Sequence, residues 1–144
     1  MIAIDTNILV YAHRQDSNWH AAADSVLASL AEGDSLWAIP WPCLNEFVAI
    51  VTHPRVYSPP TPLSEALAQV QCWLESPTLT LLSEGDGFAG VWMEVLRKAA
   101  VSGGAVHDAR IAALCIHHGI KKLLSADRDF SRFPALKTEN PLPR

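Results

Sequence analysis

The sequence predicts an α/β domain in three layers, α/β/α, with a mainly parallel central sheet of four to five short strands. Three observations predict it. Short apolar runs at residues 2–4, 36–39, 78–82 and 122–125 alternate with longer stretches of helical periodicity. Proline, glycine or small polar residues bound most of these segments. Strands joined through helices pair in parallel, and right-handed crossovers lay the helices on both faces of the sheet.

Taken in order, residues 2–4 read as a very short strand, and Asp5 stands where it ends. Thr6 and Asn7 turn the chain, and residues 8–12 are apolar and packed. A polar loop follows, in which Asp16 or Ser17 is expected to cap a helix. Trp19, Ala22, Ala23, Val26, Leu27 and Leu30 make the stripe of that helix, and Gly33 stops it. Residues 36–39 form a second strand bounded by Pro40. Trp41-Pro42 opens the next helix, since proline suits a first turn. Leu44, Phe47, Val48 and Val51 supply its core side, Glu46 lies near its start, and His53-Pro54 ends it.

Pro59, Pro60 and Pro62 make a stiff linker inside one domain. A helix starting at Thr61-Pro62 carries Leu63, Leu67, Val70 and Leu74 along one side. Residues 78–82 form a third strand. Asp86 is expected to cap a helix with Phe88, Val91, Trp92, Val95, Leu96 and Ala99 at helical spacing, broken by Ser102-Gly103-Gly104. Residues 106–118 are apolar nearly all round, which marks a buried helix, with Asp108 in its first turn and Gly119 closing it. Residues 122–125 are a fourth strand. Asp127 and Asp129 lie just past its end, and residues 136–138 add an edge strand.

Composition narrows the function. The 144 residues fit one domain, and at 49% hydrophobic they can bury a core. A net charge of −4 argues against holding nucleic acid by bulk positive charge. It leaves open a nuclease whose acids hold a metal. Cys43, Cys72 and Cys115 are odd in number, sit among apolar residues, and read as buried thiols without a disulfide frame. No basic segment followed by an apolar run opens the chain, and no stretch reaches the ~18 apolar residues of a membrane span. A cytoplasmic protein is expected.

The acids carry the chemistry. Asp5 and the pair Asp127/Asp129 follow strand ends, while Glu46 and Asp108 lie in the opening turns of helices. In a parallel sheet these places share one edge, so four distant segments bring carboxylates together. Each acid alone has a plainer reading: Asp5 as a turn residue, Asp108 and Glu46 as helix N-terminal acids, one of Asp127 and Asp129 as a turn residue. Together they cannot stay ionised without a counter-charge. Two carboxylates ~5 Å apart repel by roughly 3 kcal/mol at an effective dielectric near 20. A cluster raises its own pKa values or recruits a cation, and hard oxygen donors suit Mg²⁺ or Mn²⁺. Metal-assisted phosphodiester hydrolysis is the expected chemistry, the metal activating a water and offsetting charge on the attacked phosphate.

The motifs resemble those of PIN-domain ribonucleases, and among them the VapC-type toxins of toxin–antitoxin pairs. The matching stretches are Ile4-Asp5-Thr6-Asn7-Ile8-Leu9-Val10-Tyr11-Ala12, Glu46-Phe47, Val106-His107-Asp108-Ala109-Arg110-Ile111-Ala112-Ala113 and Ser125-Ala126-Asp127-Arg128-Asp129-Phe130. The closing Arg132-Phe133-Pro134 and Asn140-Pro141-Leu142 also fit, so the resemblance runs the whole chain. It implies a PIN fold over residues 1–144 and Mg²⁺-dependent endonuclease action on structured RNA such as tRNA or rRNA. It also implies a small VapB-type antitoxin that blocks the site, and a toxin homodimer. By motif match, Asp5 and Asp108 are the main metal ligands. Glu46 and Asp127 complete the catalytic set, with Asp129 competing for the fourth place, and Thr6 and Asn7 orient Asp5 and bound water. Ser125 stands where relatives often carry threonine, and it keeps the hydroxyl.

Other sites are weaker. Cys115, His117 and His118 lie on one buried helix, where neighbours point apart, and lack a second ligand pair for zinc. There is no G-x-S-x-G elbow, dinucleotide fingerprint or P-loop. His107 is expected to hydrogen-bond near its helix start. Most of the tryptophans are expected in the core; Trp37, Trp41 and Trp73 are the alternatives for a partner surface, and the apolar residues 59–74 for a groove taking an antitoxin helix, core packing again being the expected role of most. Arg14, Arg110, Arg128 and Arg132 are candidates for RNA phosphate contacts, against ion pairing with the acids. Two further readings stay open: a DNA nuclease or phosphohydrolase using the same acids, and a non-catalytic interaction protein with this fold.

Overall fold

The computed structural model describes residues 1–143. Five parallel strands lie in the order β3-β2-β1-β4-β5: β1 (Ile2–Ile4), β2 (Trp37–Pro40), β3 (Leu79–Leu82), β4 (Lys122–Leu124) and β5 (Thr138–Glu139). The first strand sits in the middle because both its faces are covered. Ala3 and Ile4 are fully buried, and β2 is buried along its whole length. Register is direct, with Ile4 opposite Leu124 and Ala3 opposite Ala38. All strands therefore end at one edge.

Six α-helices cover the sheet: α1 (Thr6–His13), α2 (His20–Glu32), α3 (Trp41–Val51), α4 (Leu63–Leu74), α5 (Phe88–Ala99) and α6 (Ala105–His117). Helix α1 packs on α2 and α3, α3 packs on α4, and α5 pairs with α6. The sheet order steps outward from β1 through β2 to β3, then returns across to β4. Right-handed crossovers accordingly put α1–α4 on one face and α5–α6 on the other. The core between the layers is built on Ile4, Ile8, Leu9, Trp37, Ile39, Phe47, Leu114, Leu123 and Phe130. Phe47 packs edge-on to both Trp73 and His13. No helix among the described residues is long and apolar enough to cross a membrane.

Residues 8–12, to which the sequence assigns no element, belong to α1. Asp5 starts that helix, its Oδ1 accepting from the Thr6 N–H at 2.8 Å. Two expected caps fail. Helix α2 begins at His20 without a side-chain cap, because Asp16 is taken by Arg14 and Ser17 accepts from the Trp19 N–H in a tight turn. Helix α5 begins after Gly87, at φ 83°, with Asp86 exposed and not capping. A glycine in left-handed backbone already redirects the chain there. The edge strand starts two residues and ends one residue later than expected, at β5, where Leu123 N–H and Ser125 N–H donate to the Lys137 and Glu139 carbonyls.

Burial corrects one further expectation and decides between two others. Cys72 is exposed on α4, unlike Cys43 and Cys115. Trp37 is fully buried, its indole N–H donating to Ser76 at 3.2 Å, and Trp73 is buried against Phe47. Of the three tryptophans considered for a partner surface, only Trp41 is exposed.

Helix α5 ends on Ala100 at φ 51°, ψ 39°, a left-handed C-cap in a residue with a Cβ. That conformation costs an alanine about 1–2 kcal/mol, partly offset in a glycine by its freer unfolded chain. Ala100→Gly is expected to stabilise the fold by roughly 0.5–1 kcal/mol, read as a higher urea midpoint with unchanged slope.

Candidate active site

The parallel sheet delivers acids to one edge because every strand there ends in the same direction. Asp5 leaves β1, and its own N–H donates to the Leu124 carbonyl at the end of β4 at 3.0 Å. Asp127 and Asp129 follow β4. Asp108 lies in the first turn of α6, whose N-terminus returns to this edge. Glu46 is the sixth residue of α3, so it sits in the second turn of that helix and not its opening turn. The edge between β1 and β4, where the chain's direction of winding reverses, is the place an open α/β sheet offers a ligand.

Asp5 is only 4% exposed, yet both its oxygens are engaged. Ser125 Oγ donates to Oδ2 at 2.6 Å, the Thr6 N–H donates to Oδ1, and the Cys43 thiol lies 3.6 Å from Oδ1. Burial pushes the Asp5 carboxyl up to about 6, against the pull of the Ser125 and Thr6 donors and with added repulsion from Glu46. Thr6 does more than hold Asp5, since its hydroxyl donates to Glu46 Oε2 at 3.2 Å. Asn7 grips the loop after β4: its Oδ1 accepts from the Ala126 N–H and its Nδ2 lies 3.4 Å from Ser125 Oγ. This polar clasp ties the ends of β1 and β4 together.

The tightest group is Asp108, Asp127 and Asp129, each offering an oxygen within 4.8 Å of the others. The Asp108 carboxyl is raised, first by partial burial and then by the charges of Asp127, Asp129 and Glu46, with Arg132 opposing. Asp127 has two tasks. Its Oδ1 accepts from the Asp129 N–H at 2.8 Å, starting a short 3-10 helix over Arg128–Arg132, and it still stands in the acid group. Asp129 is exposed and lies 4.0 Å from Arg132. All five acids thus gather at one edge, Asp5 and Glu46 on one side and the three aspartates on the other. Asp5, with its oxygens held by Ser125 and Thr6, is not in the tightest group.

Two hollows are lined in part by these acids. One, about 720 Å³, is lined by Trp41, Asn45, Glu46, His107, Asp108 and Arg110. The other, about 530 Å³, runs past Asp127, Arg128, Ser131 and Asn140. His107 is exposed on the wall of the first and makes no side-chain hydrogen bond among the described residues, contrary to the sequence expectation. The donor set is all carboxylate, with Asp108 raised by partial burial and then by its like-charged neighbours. It fits a hard divalent cation such as Mg²⁺ or Mn²⁺ better than a soft metal.

The candidate phosphate-binding arginines separate. Arg14 caps the far end of α1, about 13.5 Å along the helix from Asp5. It is locked there by Asp16 at 2.6 Å, the Pro59 carbonyl, Thr61 and the face of Tyr57, so it belongs to no site edge. Arg110 is at the cleft but paired with Glu84 at 2.6 Å. Arg128 and Arg132 are exposed beside the acids. His118 Nε2 lies 2.8 Å from the Ser83 carbonyl, and Cys115 is buried, its thiol pushed up to about 12 by burial. The residue that sequence reasoning underused is Ser125. Its role follows from the parallel register of β1 and β4, which sets it beside Asp5.

The PIN domain family model matches residues 2–136. Ribonuclease VapC43 of Mycobacterium tuberculosis is 33% identical over 142 residues, covering 99% of this chain and 96% of the relative. Ribonuclease VapC33 of the same organism is 31% identical over 142 residues and covers 99% of both chains. Two solved structures share the fold. VapBC2 from Rickettsia felis, bound to a promoter DNA fragment, has a TM-score of 0.71 at 22% identity and covers 99% of this chain and 100% of its own. VapC20 of Mycobacterium tuberculosis, described as a sarcin–ricin loop cleaving toxin, has a TM-score of 0.69 at 19% identity over the same shares.

Proposed function

The chain belongs to the PIN-domain family, among its VapC-type ribonucleases, and from that premise we propose that it is a divalent-metal-dependent endoribonuclease toxin. It works as a single PIN domain, in the cytoplasm, on structured RNA such as tRNA or rRNA. The observation that carries the reading is the gathering of Asp5, Glu46, Asp108, Asp127 and Asp129 from four segments onto one sheet edge, with Asp108 raised by burial and then by its acidic neighbours.

Asp5 and Asp108 would hold the cation, with Glu46, Asp127 and Asp129 completing the acidic set. Bound there, a Mg²⁺ or Mn²⁺ ion would stabilise charge on the scissile phosphate and make water a better nucleophile. The protein's own groups do the positioning. Ser125 and the Thr6 N–H orient the Asp5 carboxylate, Thr6 Oγ1 orients Glu46, and Asn7 holds the loop that carries Ser125. Arg128 and Arg132, exposed beside the acids, would meet RNA phosphates.

The partner is a VapB-type antitoxin, and the toxin is a homodimer. The exposed face of α4 supports the first. Leu63 and Leu67 are more than half exposed and Leu74 lies on the same helix, an apolar ridge at the spacing an amphipathic helix reads.

Purified protein is expected to cut RNA with Mg²⁺ or Mn²⁺ and to stop with EDTA, while leaving single-stranded DNA and small phosphoesters intact. No cleavage of any RNA with either metal overturns the reading, and equal cleavage of DNA replaces it with the DNA-nuclease one. Ser125→Ala is expected to cut kcat about tenfold by releasing the Asp5 carboxylate, while Ser125→Thr keeps the hydroxyl and retains most of the rate.

A further inference from the structure

Beside the acid cleft is a smaller hollow that the proposed chemistry does not use. It measures about 290 Å³ and is lined by Glu84, Phe88, Trp92, Val106, His107 and Arg110. His107 and Arg110 line the acid cleft as well, so they form the wall between the two. Its size is at the small end of ligand pockets, about 300 Å³. Its floor is apolar. Phe88 is buried and braced edge-on by His117 at 5.8 Å, and Val106 and Trp92 are half-buried. Trp92 packs against the core and lines the hollow, with no aromatic partner among the described residues.

The rim carries one polar device. Arg110 Nε donates to Glu84 Oε1 at 2.6 Å. With Nε engaged, the two terminal nitrogens, which make no other hydrogen bond among the described residues, remain as an end-on fork. Such a fork matches two adjacent acceptors on one edge of a planar base, which guanine offers as O6 and N7 and an unpaired cytosine as O2 and N3; of the two, guanine has the larger ring system to stack. In single-stranded RNA a splayed base presents this edge freely and stacks on aromatic side chains.

We propose that the hollow bounded by Trp92 and the Arg110–Glu84 pair is a nucleobase subsite, taking an unpaired guanine next to the phosphate that is cut. The proposal rests on the ribonuclease reading for its place in the reaction. The subsite itself is a property of these six side chains and needs no metal. Stacking on Trp92 supplies affinity for any base, and the Arg110 fork supplies the preference.

The test has two arms. In the first, guanosine, adenosine, cytidine and uridine are compared by saturation-transfer NMR with the metal-free protein. Nucleosides lack phosphate, so the acids do not repel them. Guanosine is expected to give the strongest transfer, Trp92→Leu to abolish it for all four, and Arg110→Lys to level the four. In the second arm, RNAs differing only in the base beside the cut are cleaved. Guanine is expected to be favoured about tenfold in kcat/KM, and Arg110→Lys to shrink that ratio to about twofold. Circular dichroism checks that Trp92→Leu is folded, and the exposed Arg110 provides a second variant if it is not. No transfer from any nucleoside, or an unchanged guanine preference in folded variants, overturns the subsite. Uncut RNA with guanosine transfer that the variants lose overturns the ribonuclease reading and leaves the subsite standing.

Discussion

Asp108→Asn is expected to lower RNA cleavage at least a hundredfold, about 2.7 kcal/mol of transition-state stabilisation, with KM little changed. Asp108 is central to the group: it lies within 4.8 Å of Asp127 and Asp129 and feels the charges of those two and of Glu46. Removing its charge leaves a cation too few anionic donors, and the substitution changes no apolar contact. Its folding is therefore expected to survive, and the loss to be one of chemistry. Asp129→Asn separates the roles of the paired acids. Asp127 is also tied into the backbone through the Asp129 N–H, so substituting it disturbs the loop as well as the charge. A kcat/KM of Asp108→Asn within tenfold of the wild type would remove the acid cluster from the mechanism.

The second large effect is on stability against pH. Asp5 ionises near 6 in the folded chain against an ordinary 3.8, chiefly because it is buried. Between those values the folded chain holds a proton that the unfolded chain has lost. Stability is thus fully present below about pH 4 and falls as pH rises to about 6. The loss attributable to Asp5 is about 3 kcal/mol at neutral pH in the absence of metal. Asp108, raised as well, contributes in the same direction. Urea unfolding in EDTA across pH 4 to 8 is expected to show that decline, and Asp5→Asn to flatten it. A divalent cation binds the ionised form, so saturating Mg²⁺ is expected to restore stability in the wild type, about 2.7 kcal/mol at a hundred times Kd. Asp5→Asn is expected to gain little from it. A wild type whose stability rises from pH 4 to 6 in EDTA would show that Asp5 is not the buried, raised acid described here.

Much of this site was legible before folding, and what was not has local causes. The acids could be read because strand ends and helix starts are marked by short-range pattern, and a parallel sheet collects both at one edge. Helix α1 was missed because eight residues, buried at Ile8, Leu9, Val10 and Ala12, show no polar stripe to give a period. The caps at Asp16, Ser17 and Asp86 failed because a capping residue type has competing partners. Arg14 claimed one of them, a tight turn another, and a glycine at positive φ made the third unnecessary. Cys72 was misplaced because the face a helix turns to solvent depends on what packs beside it.

The sequence alone determined the alternation of strands and helices, the parallel sheet and the five acids, since each follows from periodicity and from residue type at element ends. Tertiary structure decided the pairings among distant residues. It put Ser125 against Asp5 through the register of β1 and β4, sent Arg14 to the far end of α1, and locked Arg110 to Glu84. Such contacts depend on which strands are neighbours and how they are aligned, a choice made by burying the whole core at once and written in no single stretch of chain.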